Sequence, residues 1–149
     1  MGKQYTETID SKLKTAWQIV SRMYNTEASK YNATISTAHF LLNIDSHEGS
    51  YASDIAPRLG TESTSLSRII DSLEKEKLIV RRSDKEDKRR IKILLTQKGK
   101  QKKELAKTYV RDFNQLVAQR IGKNRVEEFF KTVNEIIEVA EEKNKLQKR

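Results

Sequence analysis

The stretch that decides the fold is residues 61–95, which read TESTSLSRIIDSLEKEKLIVRRSDKEDKRRIKILL. Its first half has apolar residues at helical spacing, namely Leu66, Ile69, Ile70 and Leu73. This spacing predicts a helix with one buried stripe. The short polar and basic residues lie largely off that stripe: Ser63, Thr64, Ser65, Ser67 and Arg68.

After Leu78 the period of the pattern changes. Residues 78–82 and 91–95 read as two β-strands, and the eight residues between them, 83–90, are all polar. Two strands joined by a polar segment predict a hairpin with a long, solvated tip. The stretch is therefore a helix followed by a β-hairpin.

The charge of the chain is concentrated in the same region. Residues 77–103 contain 12 basic and 3 acidic side chains, which accounts for the whole formal net charge of +9. Such concentration is typical of a protein that docks one face on a polyanion. For an isolated charge run a solvated loop would be the simpler interpretation, but the flanking strands and the preceding Ser/Thr-rich helix favour a binding role.

Helices are predicted on both sides of this stretch. Upstream we expect a helix over 8–31, a second one capped by Thr34 or Ser36 and closing near Gly49, and a short one ended by Gly60. Downstream, Thr96 can cap a long helix, and a break at 122–124 precedes the last one. The predicted fold class is mainly α with a small β-hairpin wing (α+β): a winged helix-turn-helix core plus a helical dimerisation region. The predicted segments are 1–33 and 100–149 for dimerisation and 34–99 for DNA binding.

Composition limits the alternatives. The chain has no cysteine, which removes disulfides and thiolate metal sites and suits a reducing cytoplasm. No apolar run is long enough to span a membrane. Two histidines, His39 and His47, make a poor metal site, and Ser36 with His39 lacks an orienting acid, so we expect no metal, no cofactor and no catalytic residues. An enzyme such as a small hydrolase is the disfavoured alternative.

A winged helix-turn-helix has a direct physical route to DNA. A helix fits the major groove, where Ser, Thr and Arg side chains can reach base edges and phosphates. The hairpin tip can reach the flanking minor groove, whose negative potential favours arginine. A winged helix that binds a protein or RNA partner stays open as the alternative.

The quoted residues resemble the MarR family of bacterial transcription regulators over the full length of the chain. The resemblance lies in residues 63–74, 78–82, Asp87-Lys88-Arg89-Arg90 and Leu95-Thr96-Gln97-Lys98-Gly99. The resemblance implies that Arg89 enters the minor groove and that Asp87 holds it by an ion pair. Lys88 and Arg90 complete the predicted DNA-binding wing. Lys77 stands where the family usually has glycine, and because lysine tolerates the left-handed conformation poorly, we expect this turn to be built differently.

The resemblance also implies a homodimer on double-stranded DNA and a repressor relieved by a small-molecule effector, with activation as an alternative. The thin core and the apolar last helix independently favour a second copy. Possible phosphate contacts are Arg81, Arg82 and Lys98, although the two arginines can also be plain guards of an edge strand. An effector pocket can lie near Trp17, Tyr24, His39 and Phe40, although core packing is the simpler role for Trp17 and Tyr24, which share a helical stripe.

Overall fold

The computed structural model describes residues 7–60 and 63–148 of the chain. This part contains six helices and three short strands: α1 (Ile9–Ser29), α2 (Ile35–Leu42), β1 (Ser50–Tyr51), α3 (Ala52–Leu59), α4 (Ser63–Lys75), β2 (Ile79–Ser83), β3 (Ile91–Leu95), α5 (Gln97–Ile121) and α6 (Lys123–Gln147). The mainly helical architecture with a small antiparallel sheet confirms the predicted fold class. No helix in the described ranges is both long and apolar enough to cross a membrane.

The first two helices begin at threonines. The Thr34 hydroxyl accepts a hydrogen bond from Thr37 N (3.2 Å), and the Thr37 hydroxyl accepts one from Thr34 N (3.0 Å). Thr8 and Ser11 form the same reciprocal pair at the start of α1. Each pair satisfies two amides that a helix leaves without an internal partner. Of the two predicted caps for α2, the structure uses Thr34.

The prediction that α2 closes near Gly49 is wrong, because α2 ends at Leu42. The chain leaves the helix in a turn held by Asp45, whose Oδ1 accepts from His47 N and Glu48 N, both at 2.8 Å. An aspartate that bonds its own following amides competes with helix continuation. This turn leads into β1, a strand that the sequence pattern did not predict.

The sheet is three-stranded with the order β1-β3-β2, and both pairings are antiparallel. In the hairpin Ile79 pairs with Leu95 and Ser83 with Ile91. The first strand adds Ser50 opposite Ile93. The predicted two-stranded wing is therefore anchored by a third strand from the helical part.

The buried core lies where α2, α3 and α4 meet the sheet. Its members are Phe40, Leu41, Ile44, Ile55, Ile70, Leu73, Leu78, Ile79 and Ile93. Leu66 and Ile69 pack against this core from α4. The predicted buried stripe of that helix is thus confirmed.

The turn after α4 contains a lysine in the left-handed conformation, Lys77, with φ of 60°. The expectation that lysine would force a different turn is therefore wrong. The turn is stabilised by Thr96, which lies between β3 and α5. The Thr96 hydroxyl donates to Lys77 O (2.7 Å) and accepts from Gly99 N (3.0 Å). A Cβ on Gly99 would lie 1.9 Å from Leu78 O, so only glycine allows this close approach.

By its internal contacts the chain separates into two compact units, with the boundary between Lys107 and Thr108. The first unit contains α1 to α4, the sheet and the start of α5. The second contains the rest of α5 and all of α6. Each unit exposes large apolar side chains: Ile9, Leu13, Trp17 and Ile19 on α1 in the first, and Leu116, Phe129, Phe130, Ile137, Val139 and Leu146 in the second.

Candidate nucleic-acid interface

Helix α4 turns its polar side outward. Ile70 and Leu73 are buried in the core, and the helix exposes Thr64, Ser65, Ser67 and Arg68. The backbone of Ser63 begins the helix, but its side chain lies outside the described part. A core-anchored helix thus presents short polar groups and one guanidinium on its accessible side.

The Arg81 side chain ties the hairpin to α4. Its Nε lies 3.0 Å from Glu74 Oε2 and its Nη1 lies 3.0 Å from Asp71 Oδ1. The hydrogen bond from Arg81 lowers the pKa of Glu74 below its usual value. Arg82, the next residue of β2, is exposed and makes no ion pair within the described ranges. The two arginines predicted as possible phosphate contacts therefore have different surroundings.

The wing tip is an ordered turn built on Asp84. Its Oδ1 accepts hydrogen bonds from Glu86 N (2.9 Å) and Asp87 N (3.0 Å). Its own amide donates to Arg90 O (3.0 Å), and Arg90 N donates to Asp87 O (2.9 Å). These four bonds fix the path of the chain across the tip.

Arg89 projects from this turn, with 93% of its side chain exposed. Asp87 Oδ1 accepts from both Arg89 N and Arg89 Nε, each at 3.1 Å. The ion pair that the resemblance implies is present in the structure. Entry of the guanidinium into a minor groove stays a prediction.

The neighbouring Arg90, also predicted for the DNA-binding wing, is exposed, and its side chain lies against the protein surface. Its guanidinium lies 3.7 Å from the centroid of the Tyr51 ring, and Nη2 lies 3.6 Å from Asp54 Oδ2. The Tyr51 hydroxyl donates to Asp84 Oδ2 at 2.5 Å. This hydrogen bond, with those from the amides of Asp87 and Glu86, lowers the pKa of Asp84 to about 2. Sequence analysis missed Tyr51, since a single tyrosine in a two-residue strand leaves no periodic signal.

The lysines at the start of α5 make contacts within the first unit. Lys98 Nζ donates to Glu76 O (3.1 Å) and Lys102 Nζ donates to Tyr31 O (3.0 Å). Lys103 is buried and its Nζ donates to the carbonyl of Ile44. Lys98, a predicted phosphate contact, therefore also joins α5 to the end of α4. Lys88 at the wing tip is exposed.

The proposed effector residues fall into two environments. Phe40 is fully buried in the core. Trp17 is 53% exposed, and its ring centroid lies 5.8 Å from that of His39. Burial lowers the pKa of His39 and raises the pKa of Tyr24. The structure thus brings Trp17 and His39 together and places Phe40 beneath the surface.

Residues 33–91, which contain α2 to α4, β2 and the wing tip, match the model of the MarR family. This segment is a MarR-family domain. For these residues the family that the motifs resembled is confirmed. No curated protein sequence matches the chain.

The fold of the MarR-family domain and its flanking helices is shared with several solved structures, two of which are DNA complexes. The DNA complex of MepR from S. aureus is 20% identical, with a TM-score of 0.82, and the match covers 89% of this chain and 98% of MepR. PcaV from Streptomyces coelicolor, solved with its natural ligand, is 16% identical, with a TM-score of 0.81 and coverage of 94% and 99%. The repressor CouR on a 23-mer DNA duplex is 23% identical, with a TM-score of 0.79 and coverage of 92% and 99%. At these identities the likeness establishes the fold.

In the described residues, no group of three or more His, Asp or Glu side chains is placed to hold a metal ion. PcaV is described as a transcriptional regulator and CouR as a transcriptional repressor.

Proposed function

We propose that the chain is a homodimeric transcription regulator that binds double-stranded DNA at specific sites. The observation that carries this proposal is Arg89, which projects from the wing and is oriented by Asp87. An exposed guanidinium at a fixed position, in the region that contains the entire net charge, matches the needs of minor-groove recognition. The solved complexes of MepR and CouR with DNA support the same assignment by shared fold.

In this proposal each part of the DNA-binding segment, residues 34–99, has a distinct role. The exposed side of α4, with Ser63 at its start, enters the major groove and contacts bases and phosphates: Ser63, Thr64, Ser65, Ser67 and Arg68. Arg89 enters the minor groove, with Lys88 beside it. The proposed phosphate contacts are Arg81, Arg82 and Lys98. Arg81 and Lys98 also make bonds within the protein, so contact with phosphate is the second role of these two side chains.

The dimer is proposed from the exposed apolar side chains of segments 1–33 and 100–149. Phe129, Phe130 and Ile137 are exposed on α6, and Ile9 and Trp17 are exposed on α1. Monomeric proteins rarely expose so many large apolar groups, so we expect a second copy of the chain to bury them in a dimer interface. Light scattering of the full chain should give the mass of a dimer, and a folded monomer would contradict this part.

Repression relieved by a ligand is the mode of regulation that we propose. CouR is described as a repressor and PcaV was solved with its natural ligand, which supports this mode by analogy. The candidate contacts for a small apolar or aromatic ligand are Trp17, Tyr24, His39 and Phe40. A ligand that prefers the conformation unable to bind DNA would lower DNA affinity by its differential binding energy. The expected site of action is the cytoplasm.

A winged-helix module for a protein or RNA partner is the alternative function. It would not need the net charge confined to the wing and the start of α5, and it would bind duplex DNA weakly and without sequence preference. An enzyme would need a convergent acid, base or metal set. Among the described residues, no group of three or more His, Asp or Glu side chains is placed to hold a metal ion.

The test is selection of duplex fragments from the source genome, followed by affinity measurements on the selected site. We expect imperfect palindromes with half-site centres about one helical turn apart. Affinity should fall by about 10³–10⁵ between 50 and 200 mM salt if roughly 6–10 phosphates are contacted. Selected fragments that share no sequence, or an affinity that does not change with salt concentration, would contradict the proposal.

A further inference from the structure

Tyr51 occupies the N-cap position of α3, but its side chain does not cap the helix. It is the residue that precedes α3, where Ser, Thr, Asp or Asn would normally cap the helix. Tyr51 makes no side-chain cap. Its hydroxyl instead donates to Asp84 Oδ2, 33 residues further along the chain, at 2.5 Å. The side chain is therefore committed to the wing rather than to its own helix.

Tyr51 contacts both ends of the wing tip. The hydroxyl bonds Asp84, which directly follows β2, and the ring stacks on the guanidinium of Arg90 just before β3, at 3.7 Å from the centroid. Arg90 is held on its other side by Asp54 of α3 (3.6 Å). The backbone of Tyr51 pairs with Lys92 in the sheet, which fixes the base of this contact. A stacked cation and a charge-assisted hydrogen bond thus meet on one side chain.

The contacts of Tyr51 continue to Arg89 through three short steps. While Oδ2 of Asp84 is held by Tyr51, Oδ1 of Asp84 accepts the amides of Glu86 and Asp87 at 2.9 and 3.0 Å. The position of the Asp87 backbone then fixes its carboxylate. That carboxylate accepts from Arg89 N and Arg89 Nε, both at 3.1 Å.

We propose that Tyr51 is a positioning residue that orients the wing tip, and through it Arg89, relative to the helix-turn-helix. The effect on DNA rests on the proposed function, whereas the effect on the tip does not. None of the nine core residues belongs to the tip. Loss of the hydroxyl should therefore loosen the tip without unfolding the domain.

Tyr51→Phe is the discriminating variant because it removes the hydroxyl and keeps the ring under Arg90. In the DNA-free protein, amide hydrogen exchange at Glu86 and Asp87 should accelerate by about tenfold. The reason is that the Asp84 carboxylate, which accepts both amides, loses its hydrogen bond from Tyr51. Exchange at Ile79 and Ile93 in the sheet should stay unchanged. Unchanged exchange at the tip, or equal acceleration everywhere, would overturn the proposal.

Asp84→Asn is the second variant. Its remaining oxygen can still accept the two tip amides. The amide nitrogen that replaces the other oxygen can only donate to the Tyr51 hydroxyl, so the charge-assisted hydrogen bond from Tyr51 is lost. Tip exchange should increase in this variant, and adding Tyr51→Phe should increase it little further. Additive effects of the two changes would show that the residues act independently and would contradict the proposed chain of contacts.

The effect on DNA is measured on the selected duplex with Tyr51→Phe, Arg89→Ala and the double variant. Tyr51→Phe should weaken binding by about three- to tenfold in the native background and have no effect when Arg89 is absent. The same loss in both backgrounds would mean that Tyr51 does not act through Arg89. If the native chain binds no duplex, the proposed function fails, and the exchange data still decide the role of Tyr51 at the tip.

Discussion

Arg81 of β2 donates from Nε to Glu74 Oε2 of α4 at 3.0 Å, so the hairpin and the candidate recognition helix are joined by a side-chain bond as well as by the core. Asp71 of the same helix holds the guanidinium from a second direction, 3.0 Å from Nη1. A guanidinium shared by two carboxylates has a restricted orientation. The relative position of helix and wing, which DNA docking would require, is thereby reinforced at the surface.

Arg81→Ala should lower the midpoint of urea unfolding, because both carboxylates of α4 lose their partner. Arg82→Ala is the matched control: it removes the same charge from the next residue, which has no ion pair in the described part. Unfolding of both variants followed by circular dichroism makes the comparison. Equal midpoints would show that the Arg81 contacts add no stability.

Lys77→Gly should raise the free energy of unfolding by roughly 0.5–1 kcal/mol. A non-glycine residue in the left-handed conformation costs about 1–2 kcal/mol, and the greater freedom of glycine in the unfolded chain offsets part of the gain. Lys75→Gly, inside the last turn of α4, should instead lower it by up to about 1 kcal/mol. Loss of stability in both variants would contradict the reading of Lys77 as a strained position.

Lys103→Ala should lower the free energy of unfolding by about 2–3 kcal/mol, because it opens a cavity and removes the donor to a carbonyl. Lys103 is 6% exposed and bonds the Ile44 carbonyl. Lys107→Ala, on the same helix but exposed and paired with Glu104, should change it by no more than about 0.5 kcal/mol. Chemical denaturation of the two variants tests this, and similar values would contradict it.

Trp17 fluorescence should change with pH through His39, with a midpoint below 6.5, because burial lowers the pKa of His39 from that value. The imidazolium withdraws electrons from the excited indole, so emission should fall in acid. Because the unfolded chain then binds more protons than the folded one, stability should also fall as pH decreases through this range. His39→Gln should abolish the fluorescence transition and His47→Gln should preserve it. A transition that survives His39→Gln and disappears in His47→Gln would contradict the role of His39.

The sequence predicted those parts of the fold that repeat along the chain. The stripe of Leu66, Ile69, Ile70 and Leu73 marked α4, and the alternation in 91–95 marked β3, because burial of one face imposes a period. The strand β1 and the early end of α2 were missed, since both depend on a local turn at Asp45 and on pairing with distant β3. Periodicity contains no information about either.

The candidate site was predictable where a motif specified geometry and not where tertiary contacts did. The resemblance to the family's wing implied the ion pair between Asp87 and Arg89, which the structure contains. The same basic run gave no sign that Arg90 stacks on Tyr51 or that Arg81 bonds α4. Those contacts join residues brought together by the sheet, and a list of positive charges cannot separate a group held by the protein from one that is available to DNA.

Arg89, held by Asp87, is proposed to recognise DNA specifically. The most direct test compares the affinities of Arg89→Ala and Lys85→Ala for the selected duplex, since both variants remove one positive charge from the exposed wing tip. We expect Arg89→Ala to lose about 1–3 kcal/mol for each half-site, Asp87→Ala to lose less, and Lys85→Ala to lose little, with all three folded. Equal losses for Arg89→Ala and Lys85→Ala would reduce the wing to a diffuse electrostatic patch and contradict the account.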